Sequence, residues 1–326
     1  MHMRTIGTIS SLIAAFAAAS AFAQGTYPSG TIRIVVSTAP SGFADTFSRR
    51  MATKLSTQMK TPVIVENKAG ANGNIGAEFV VRSKPDGYTL LTSSVNHVLS
   101  FALGEASGYD LLNDLVPISA AVYSPTLLTV HPDVPATNVI QFIAHLKANP
   151  GKLSYGSPGI GNINHLGGLL FLQAHGLSAV HVPYKGGAPM RVDLIAGRLQ
   201  FATQSVTAAA AELSSKRLRA LAIAYPKRSP LLPDVPTMVE SGVRDYEVGV
   251  WYGFSAPAKT PAAIVSRLNA EVGKALQETD IQAHLTNEGT EVTHSTPANA
   301  MAYTRREVDR WTKVIKAADV KPEVQP

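Results

Sequence analysis

The stretch IRIVVSTAPSGF, residues 32–43, decides the fold class. It opens with a β-branched run, passes through a turn of small residues, and leads into Phe47, Met51 and Leu55 at a spacing of four. β-Branched residues favour strands, and apolar residues four apart share one face of a helix. The stretch therefore predicts a strand that is followed directly by an amphipathic helix.

The same alternation continues through the chain. Further short runs of β-branched or other apolar residues lie at residues 62–65, 88–91, 126–130, 153–155, 180–182, 199–202 and 218–224. Strands that alternate with helices are typical of α/β proteins built from β-α-β units. Near the C-terminus, Thr260-Pro261 and Thr296-Pro297 each put a capping residue before a proline. This pattern predicts the starts of two amphipathic helices.

The first residues have the features of an export signal. Arg4 precedes an apolar run from Ile9 to Ala19, and Ala21-Phe22-Ala23 then offers the small residues of a signal-peptidase site. We predict a signal peptide over residues 1–23. The apolar run is shorter than the ~20 residues that span a bilayer, and no later stretch reaches that length without a charge, Gly or Pro. We therefore expect a soluble protein that is exported to the periplasm.

Length and composition narrow the class of protein further. The ~300 residues after the signal exceed the size at which one core usually suffices, so two domains are expected. The chain has no cysteine, which excludes disulfides, thiolate metal sites and a lipid-anchored N-terminal Cys. The net charge of +6, lowered by one with the loss of Arg4, suits an anionic ligand. The charges are scattered, so nucleic acid is not an expected partner.

Three turns rich in small polar residues lie at 37–43, 72–76 and 157–164. Backbone N–H groups at a helix start carry partial positive charge and can bind a carboxylate without Arg or Lys. A single turn of this kind is better interpreted as a tight strand-to-helix connection. Three such turns in one chain favour a ligand site.

Cofactor, metal and hydrolase signatures are weak. Gly159-Ile160-Gly161 lacks the third glycine of a dinucleotide motif, and no His-x-x-x-His pair with a catalytic Glu occurs, so neither a cofactor nor a metal is predicted. Ser157 does not have the spacing of a nucleophile elbow. His165 could still meet an Asp in space, so a periplasmic serine hydrolase stays open as an alternative. A structural or adhesive protein, with no ligand at all, is a third possibility.

Several longer motifs resemble one known family. They are VENKAGA at 65–71, PDGYTLL at 85–91, YGSPG at 155–159, VPYKG at 182–186 and LPDVPT at 232–237. Together they resemble the periplasmic solute-binding proteins of tripartite tricarboxylate transporters, the TctC-like or Bug family. The resemblance runs through nearly the whole chain after the signal.

This resemblance implies an α/β, two-domain periplasmic binding protein of the Venus flytrap type, with each domain a mixed sheet flanked by helices. It places domain 1 at residues 24–124 plus 247–326 and domain 2 at residues 125–246, with crossings near Ser124 and Tyr246. It also implies a monomer without enzymatic activity. Its expected partners are a small carboxylate ligand and the membrane subunits of the transporter.

The turns and the resemblance together predict the ligand contacts. In domain 1 they are Thr38, Ser41, Gly42, Phe43, Asn72, Asn74 and Asn96, and in domain 2 they are Ser157, Asn162, Asn164, His165, Thr203 and Gln204. Phe43 stands where the family commonly has smaller residues, which favours an aromatic dicarboxylate such as terephthalate. Aliphatic, citrate-like or C4 to C6 acids are the alternative. Gln204-Ser205 offers no carboxylate for an amino group, so amino acids are disfavoured.

Overall fold

The computed structural model describes residues 27–105 and 108–322, so the predicted signal peptide lies outside the described residues. Within these ranges the chain forms ten strands, ten α-helices and one 3₁₀ helix at Ala71–Gly73. The strands are β1 Ile32–Val36, β2 Val63–Asn67, β3 Thr89–Ser94, β4 Leu115–Val130, β5 Ser154–Ser157, β6 Val180–Pro183, β7 Phe201–Ser205, β8 Arg219–Ile223, β9 Gly249–Pro257 and β10 Glu291–Val292. The helices are α1 Phe43–Met59, α2 Asn74–Val81, α3 Val95–Ala102, α4 Val139–Ala148, α5 Ile163–Ala174, α6 Gly187–Ile195, α7 Val206–Ser214, α8 Ala262–Leu276, α9 Thr279–Asn287 and α10 Pro297–Ala317.

The strands form two mixed sheets that share β4. In one sheet, β2, β1 and β3 are parallel, and β9 runs antiparallel between β3 and β4. In the other, β6, β5 and β7 are parallel, and β4 runs antiparallel to β7 and β8. Both sheets combine parallel strands, which need helical crossovers, with antiparallel ones.

β4 changes its partners in the middle. Its residues from Leu115 to Pro125 pair with β9, whereas those from Thr126 to Val130 pair with β7 and β8. The return crossing lies beside it, because the Thr126 N–H donates to the Val248 carbonyl at 2.9 Å. We propose that these two crossings divide the chain into a first lobe, residues 27–124 and 247–322, and a second lobe, residues 125–246. The sequence places the crossings near Ser124 and Tyr246, and this division stays a prediction.

Each lobe has its own apolar layer, and the last helix joins them. Phe47 and Met51 of α1 are buried against the first sheet, as their spacing predicts, and Leu268 of α8 is buried there too. Helix α10 packs on α3 of the first lobe and also reaches α5 of the second. There, the Gln173 side chain donates to the Val314 carbonyl at 3.2 Å. Trp311 of α10 is fully buried in the core that results.

The two predicted C-terminal helices are present, with one correction. The Thr296 side chain caps α10 by accepting the Asn299 N–H, as predicted. Thr260 is not the N-cap of α8: the backbone of Pro261 is still extended, with ψ of 136°, so that the helix begins one residue later than predicted. A further helix, α9, lies between them and was not predicted.

Within the described ranges, no helix is long and apolar enough to cross a membrane.

Candidate functional site

A cavity of about 270 Å³ lies between the two lobes. We call it the cleft. The first lobe lines it with Phe43, Tyr252 and Glu288, and the second lobe lines it with Pro158, Asn164, Gly187, Met190, Arg191 and Gln204, among others. The predicted ligand contacts Phe43, Asn164 and Gln204 are therefore brought together from distant parts of the chain.

Two helices from opposite lobes begin at the cleft without a side-chain cap. Phe43 is the first residue of α1 and Gly187 the first of α6, and both line the cavity. Their N-caps are Gly42 and Gly186, which have no side chain to accept the first N–H groups. The unpaired N–H groups of a helix start carry partial positive charge, so both helix starts suit an anion.

The two neighbouring helices of the second lobe are capped by their own side chains. Asn162 Oδ1 accepts the N–H groups of Asn164 at 2.9 Å and His165 at 3.0 Å at the start of α5. Ser205 Oγ accepts the Ala208 N–H at 3.3 Å at the start of α7. These donors are already used within the protein. The predicted residue Asn162 thus holds a helix start together, and its Nδ2 donates to the Gly159 carbonyl at 2.8 Å.

The first turn is held in shape by Asp45. Ser41 has a left-handed backbone, with φ of 72°, a conformation that glycine adopts most readily. Its N–H donates to Asp45 Oδ2 at 3.0 Å, so this donor is not free for a ligand. Burial alone would raise the pKa of Asp45, but its hydrogen bonds, first of all that from Arg49, lower it. Nearby, Thr38 Oγ1 is buried and has no partner among the described residues.

Phe43 belongs to an aromatic wall of the first lobe. Its ring centroid lies 5.0 Å from that of Tyr252 and is stacked at 5.9 Å on Phe47. Phe43 and Tyr252 are both half-buried and line the cleft, whereas Phe47 is fully buried behind them. The wall can therefore contact a flat or apolar ligand body at a fixed position.

Two charged residues of the cleft were missed from the sequence. Arg191 of α6 is half-buried and forms no ion pair with any residue in the described ranges. The sequence offers little reason to expect Arg191 in the site, because it lies within the helix after the VPYKGG turn and belongs to no motif. Glu288, at the end of α9, brings a carboxylate into the cleft. The expectation that amino acids are disfavoured rests on Gln204-Ser205 and does not take this carboxylate into account.

Gln204 has one free polar atom. Its Nε2 donates to Thr129 Oγ1 at 2.9 Å, and Thr129 Oγ1 donates in turn to the Ala202 carbonyl at 3.0 Å. The Gln204 Oε1 is buried and has no partner among the described residues. Beside it, Thr203 Oγ1 donates to the Asn164 carbonyl at 2.7 Å, and Asn164 Nδ2 donates to the Thr203 carbonyl at 2.6 Å. The Gln204 oxygen is therefore an acceptor that needs a donor.

Three other predicted contacts line a separate, smaller cavity of about 90 Å³: Asn72, Asn96 and Asn162. Glu105 also lines it, and its carboxylate accepts from Asn72 Nδ2 at 2.9 Å. Asn74 lies nearby and is buried, with both polar atoms of its side chain bonded, Nδ2 to Ser100 and Oδ1 to Tyr109.

Ser157 is fully buried at the end of β5. Its hydroxyl donates to the Gly159 carbonyl at 2.7 Å, so His181 Nε2, at 2.8 Å, must be the donor in its contact with Ser157 Oγ. The His181 ring stacks on His165 at 3.8 Å. Burial lowers the pKa of His165 to about 3 and that of His181 to about 4, and both rings are neutral at pH 7. A buried serine whose histidine is a donor does not have the geometry of an activated nucleophile.

Comparison with known proteins decides the family. The model of the tripartite tricarboxylate transporter family receptor, TctC, matches residues 47–320. The chain belongs to this receptor family. The receptor is 32% identical to the BugT protein of Bordetella pertussis over 320 residues, which cover 98% of each chain.

Solved structures agree with this assignment. One protein of R. palustris, solved with adipate, is 32% identical, has a TM-score of 0.75 and covers 91% of the receptor and 99% of its own chain. MatC from Rhodopseudomonas palustris, with bound malate, is 29% identical and has a TM-score of 0.71. It covers 89% of the receptor and 100% of its own chain. The predicted family and the two-domain α/β binding-protein fold are confirmed.

Proposed function

We propose that this receptor captures a small organic carboxylate in the cleft and delivers it to the membrane subunits of a tripartite tricarboxylate transporter. The observation that carries the proposal is the meeting of two uncapped helix starts, α1 and α6, with the unpaired Arg191 in one cavity. Both kinds of group attract an anion. Relatives of similar fold were solved with adipate and malate, which are dicarboxylates.

We further propose that the ligand is a dicarboxylate with an aromatic body, with terephthalate as the first candidate. One carboxylate would lie at the start of α1, and the other near Arg191 and the start of α6. The body would pack on the wall formed by Phe43 and Tyr252. The cavity of about 270 Å³ is near the lower end of the usual range for ligand sites, which suits a small acid.

Aliphatic dicarboxylates are the second candidate, and the buried oxygen of Gln204 favours those that carry a hydroxyl group. A ligand hydroxyl would donate to this acceptor, whose burial without a partner costs about 1–3 kcal/mol. Malate and succinate differ only in that hydroxyl. Tighter binding of malate, with the difference lost in Gln204→Met, would support this candidate over terephthalate.

Calorimetry with a matched pair of compounds tests carboxylate capture. We expect terephthalate to bind, and its neutral diamide, terephthalamide, to bind at least tenfold more weakly, because helix starts and Arg191 select charge. Ligand at about 100 times the Kd should stabilise the protein by ~2.7 kcal/mol, visible as a thermal shift. Equal affinity for the acid and the amide would contradict the proposal. Failure of terephthalate, adipate and malate alike would also contradict it.

We propose that binding closes the two lobes. Because the cleft takes residues from both lobes, a ligand gains part of its contacts only when they approach each other. Closure would also move Ser157, Asn162 and Thr203 towards the first lobe, where Asn72 and Asn96 lie. Small-angle scattering should show a smaller radius of gyration with saturating ligand. Scattering curves that superimpose would rule out closure.

The remaining predictions form part of the same proposal. The receptor would be a periplasmic monomer, released by cleavage after Ala23, and mass spectrometry of the exported protein tests that position. It would perform no chemistry on its ligand. Hydrolysis of chromogenic esters that is abolished by Ser157→Ala would instead support the serine hydrolase.

A further inference from the structure

A second cavity, of about 320 Å³, lies beside the two crossings between the lobes. We call it the crossing cavity. It is lined by four aromatic residues, Tyr123, Tyr225, Trp251 and Tyr303, and by two charged residues, Glu247 and Arg306, together with smaller side chains. None of these residues lines the cleft or belongs to the predicted ligand contacts.

The crossing cavity and the cleft lie on opposite faces of the same pair of strands. β4 and β9 are antiparallel, with Tyr123 opposite Trp251 and Ser124 opposite Val250. Successive residues of a strand point to opposite faces. Accordingly, Ser124 and Val250 line the cleft, while Tyr123 and Trp251 line the crossing cavity. A molecule in the crossing cavity would therefore contact the back of the strands that carry the cleft.

The aromatic walls come from both lobes. Tyr225 of the second lobe stacks on Tyr123 of the first, with ring centroids 4.9 Å apart. Trp251 and Tyr303 meet at 5.8 Å with an interplanar angle of 79°. The faces of aromatic rings attract cations. One such contact is already present, because the Arg306 guanidinium lies 5.1 Å from the centre of the Tyr303 ring.

The crossing cavity also has a carboxylate, that of Glu247, on which the charges of Arg310 and Arg306 act from a distance. Glu247 is half-buried, and its side chain forms no ion pair with any residue in the described ranges. Its burial raises its pKa above the usual value, which reflects the cost of keeping this charge away from water. Rings and a carboxylate around one small space are the groups that bind quaternary ammonium ions in proteins.

We propose that the crossing cavity is a second binding site, for a small organic cation of the quaternary ammonium class. The ammonium group would lie against the rings of Tyr225 and Trp251 and near the Glu247 carboxylate. Because these residues belong to both lobes, the bound cation would join the lobes at the back of the cleft. The cation would bind there whichever acid the cleft binds.

Choline and its uncharged analogue of the same shape, 3,3-dimethylbutan-1-ol, test the proposal on the full-length mature protein. We expect choline to bind with a Kd of about 1 mM or tighter and the alcohol to bind at least tenfold more weakly. Glu247→Gln should weaken choline binding about tenfold. The matched control is Glu212→Gln, which removes a half-buried carboxylate that pairs with Arg217 and does not line the crossing cavity. It should leave choline binding unchanged.

If Glu247→Gln does not fold, Tyr225→Leu removes one ring face from a half-buried position and should weaken choline binding to a similar degree. Equal binding of choline and the alcohol would overturn the proposal, as would an equal loss in Glu247→Gln and Glu212→Gln. Absence of choline binding at about 20 mM would overturn it as well.

Discussion

The four helix starts around the cleft fall into two groups. The N-caps of α5 and α7 are Asn162 and Ser205, whose side chains accept the first N–H groups of their own helices. The N-caps of α1 and α6 are Gly42 and Gly186, which leave those groups without a side-chain partner. A polar N-cap uses the first N–H groups of its helix, so that they are not free for an anion. A glycine N-cap leaves them free to bind one.

The difference between these helix starts changes how the polar residues around Asn162 are interpreted. The sequence predicts Asn162 and its neighbours as ligand contacts because they belong to a polar turn whose backbone N–H groups suit a carboxylate. In the structure, their polarity serves the helix itself. A glycine N-cap is only a few tenths of a kcal/mol less stable than Asn or Ser, so the receptor keeps open helix starts at little expense in stability.

The largest effect is expected from closing an open helix start. In Gly42→Asp, the new carboxylate would accept the N–H groups at the start of α1 and repel an anionic ligand, so affinity for a carboxylate should fall about 100-fold or more. Calorimetry measures the loss. The matched control is Asn162→Asp, which puts the same charge on a helix start that is already capped and should cost less than about threefold. Equal losses would mean that any added negative charge acts alike.

The second largest loss of affinity is expected from removing the unpaired cation, Arg191. A hydrogen bond to a charged group contributes about 1.5–3 kcal/mol, so Arg191→Gln should weaken a dicarboxylate roughly 10- to 100-fold. Titration calorimetry with terephthalate and with benzoate, which has a single carboxylate, should show the greater loss for terephthalate. Lys185→Gln, an exposed lysine just before α6, is the control and should change neither affinity. If Lys185→Gln weakens binding as much as Arg191→Gln, the overall charge of the protein determines affinity, and not the position of Arg191.

Substitution of Asn162, the N-cap of α5, should affect the stability of the protein more than its affinity for the ligand. Asn162→Ala removes the acceptor of two N–H groups and should lower the free energy of unfolding by about 0.5–2 kcal/mol. Asn162→Gly, which turns this start into one like that of α1, should cost only a few tenths of a kcal/mol. Denaturant unfolding gives both values. A loss of affinity above tenfold in Asn162→Gly would show that this side chain contacts the ligand.

The smallest effect concerns the aromatic wall. Phe43→Leu keeps the bulk of the side chain and removes the ring, whose stacking is worth about 0.5–1.5 kcal/mol beyond area burial. Terephthalate should therefore lose about two- to tenfold more affinity than adipate, which has an aliphatic body. Parallel titrations of the two acids measure the difference. The same loss for both would indicate that Phe43 only limits the width of the cleft.

The amino-acid sequence by itself determined the fold class, the family and most of the elements. The β-branched run of β1, the spacing of Phe47 and Met51 in α1 and the Thr296-Pro297 start of α10 depend on neighbours in the chain, so local patterns identify them. Motifs such as LPDVPT identify the family for the same reason. Three of the predicted contacts, Phe43, Asn164 and Gln204, also line the cleft.

Only the tertiary structure decided which groups share a cavity and which of them are free. Arg191 and Glu288 reach the cleft from distant helices, while Asn72, Asn96 and Asn162 line a separate cavity with Glu105. A sequence lists donors and acceptors but does not say which are already paired, because pairing depends on side-chain direction and on contacts between segments far apart in the chain. For this reason the open starts of α1 and α6 became visible only in the folded receptor.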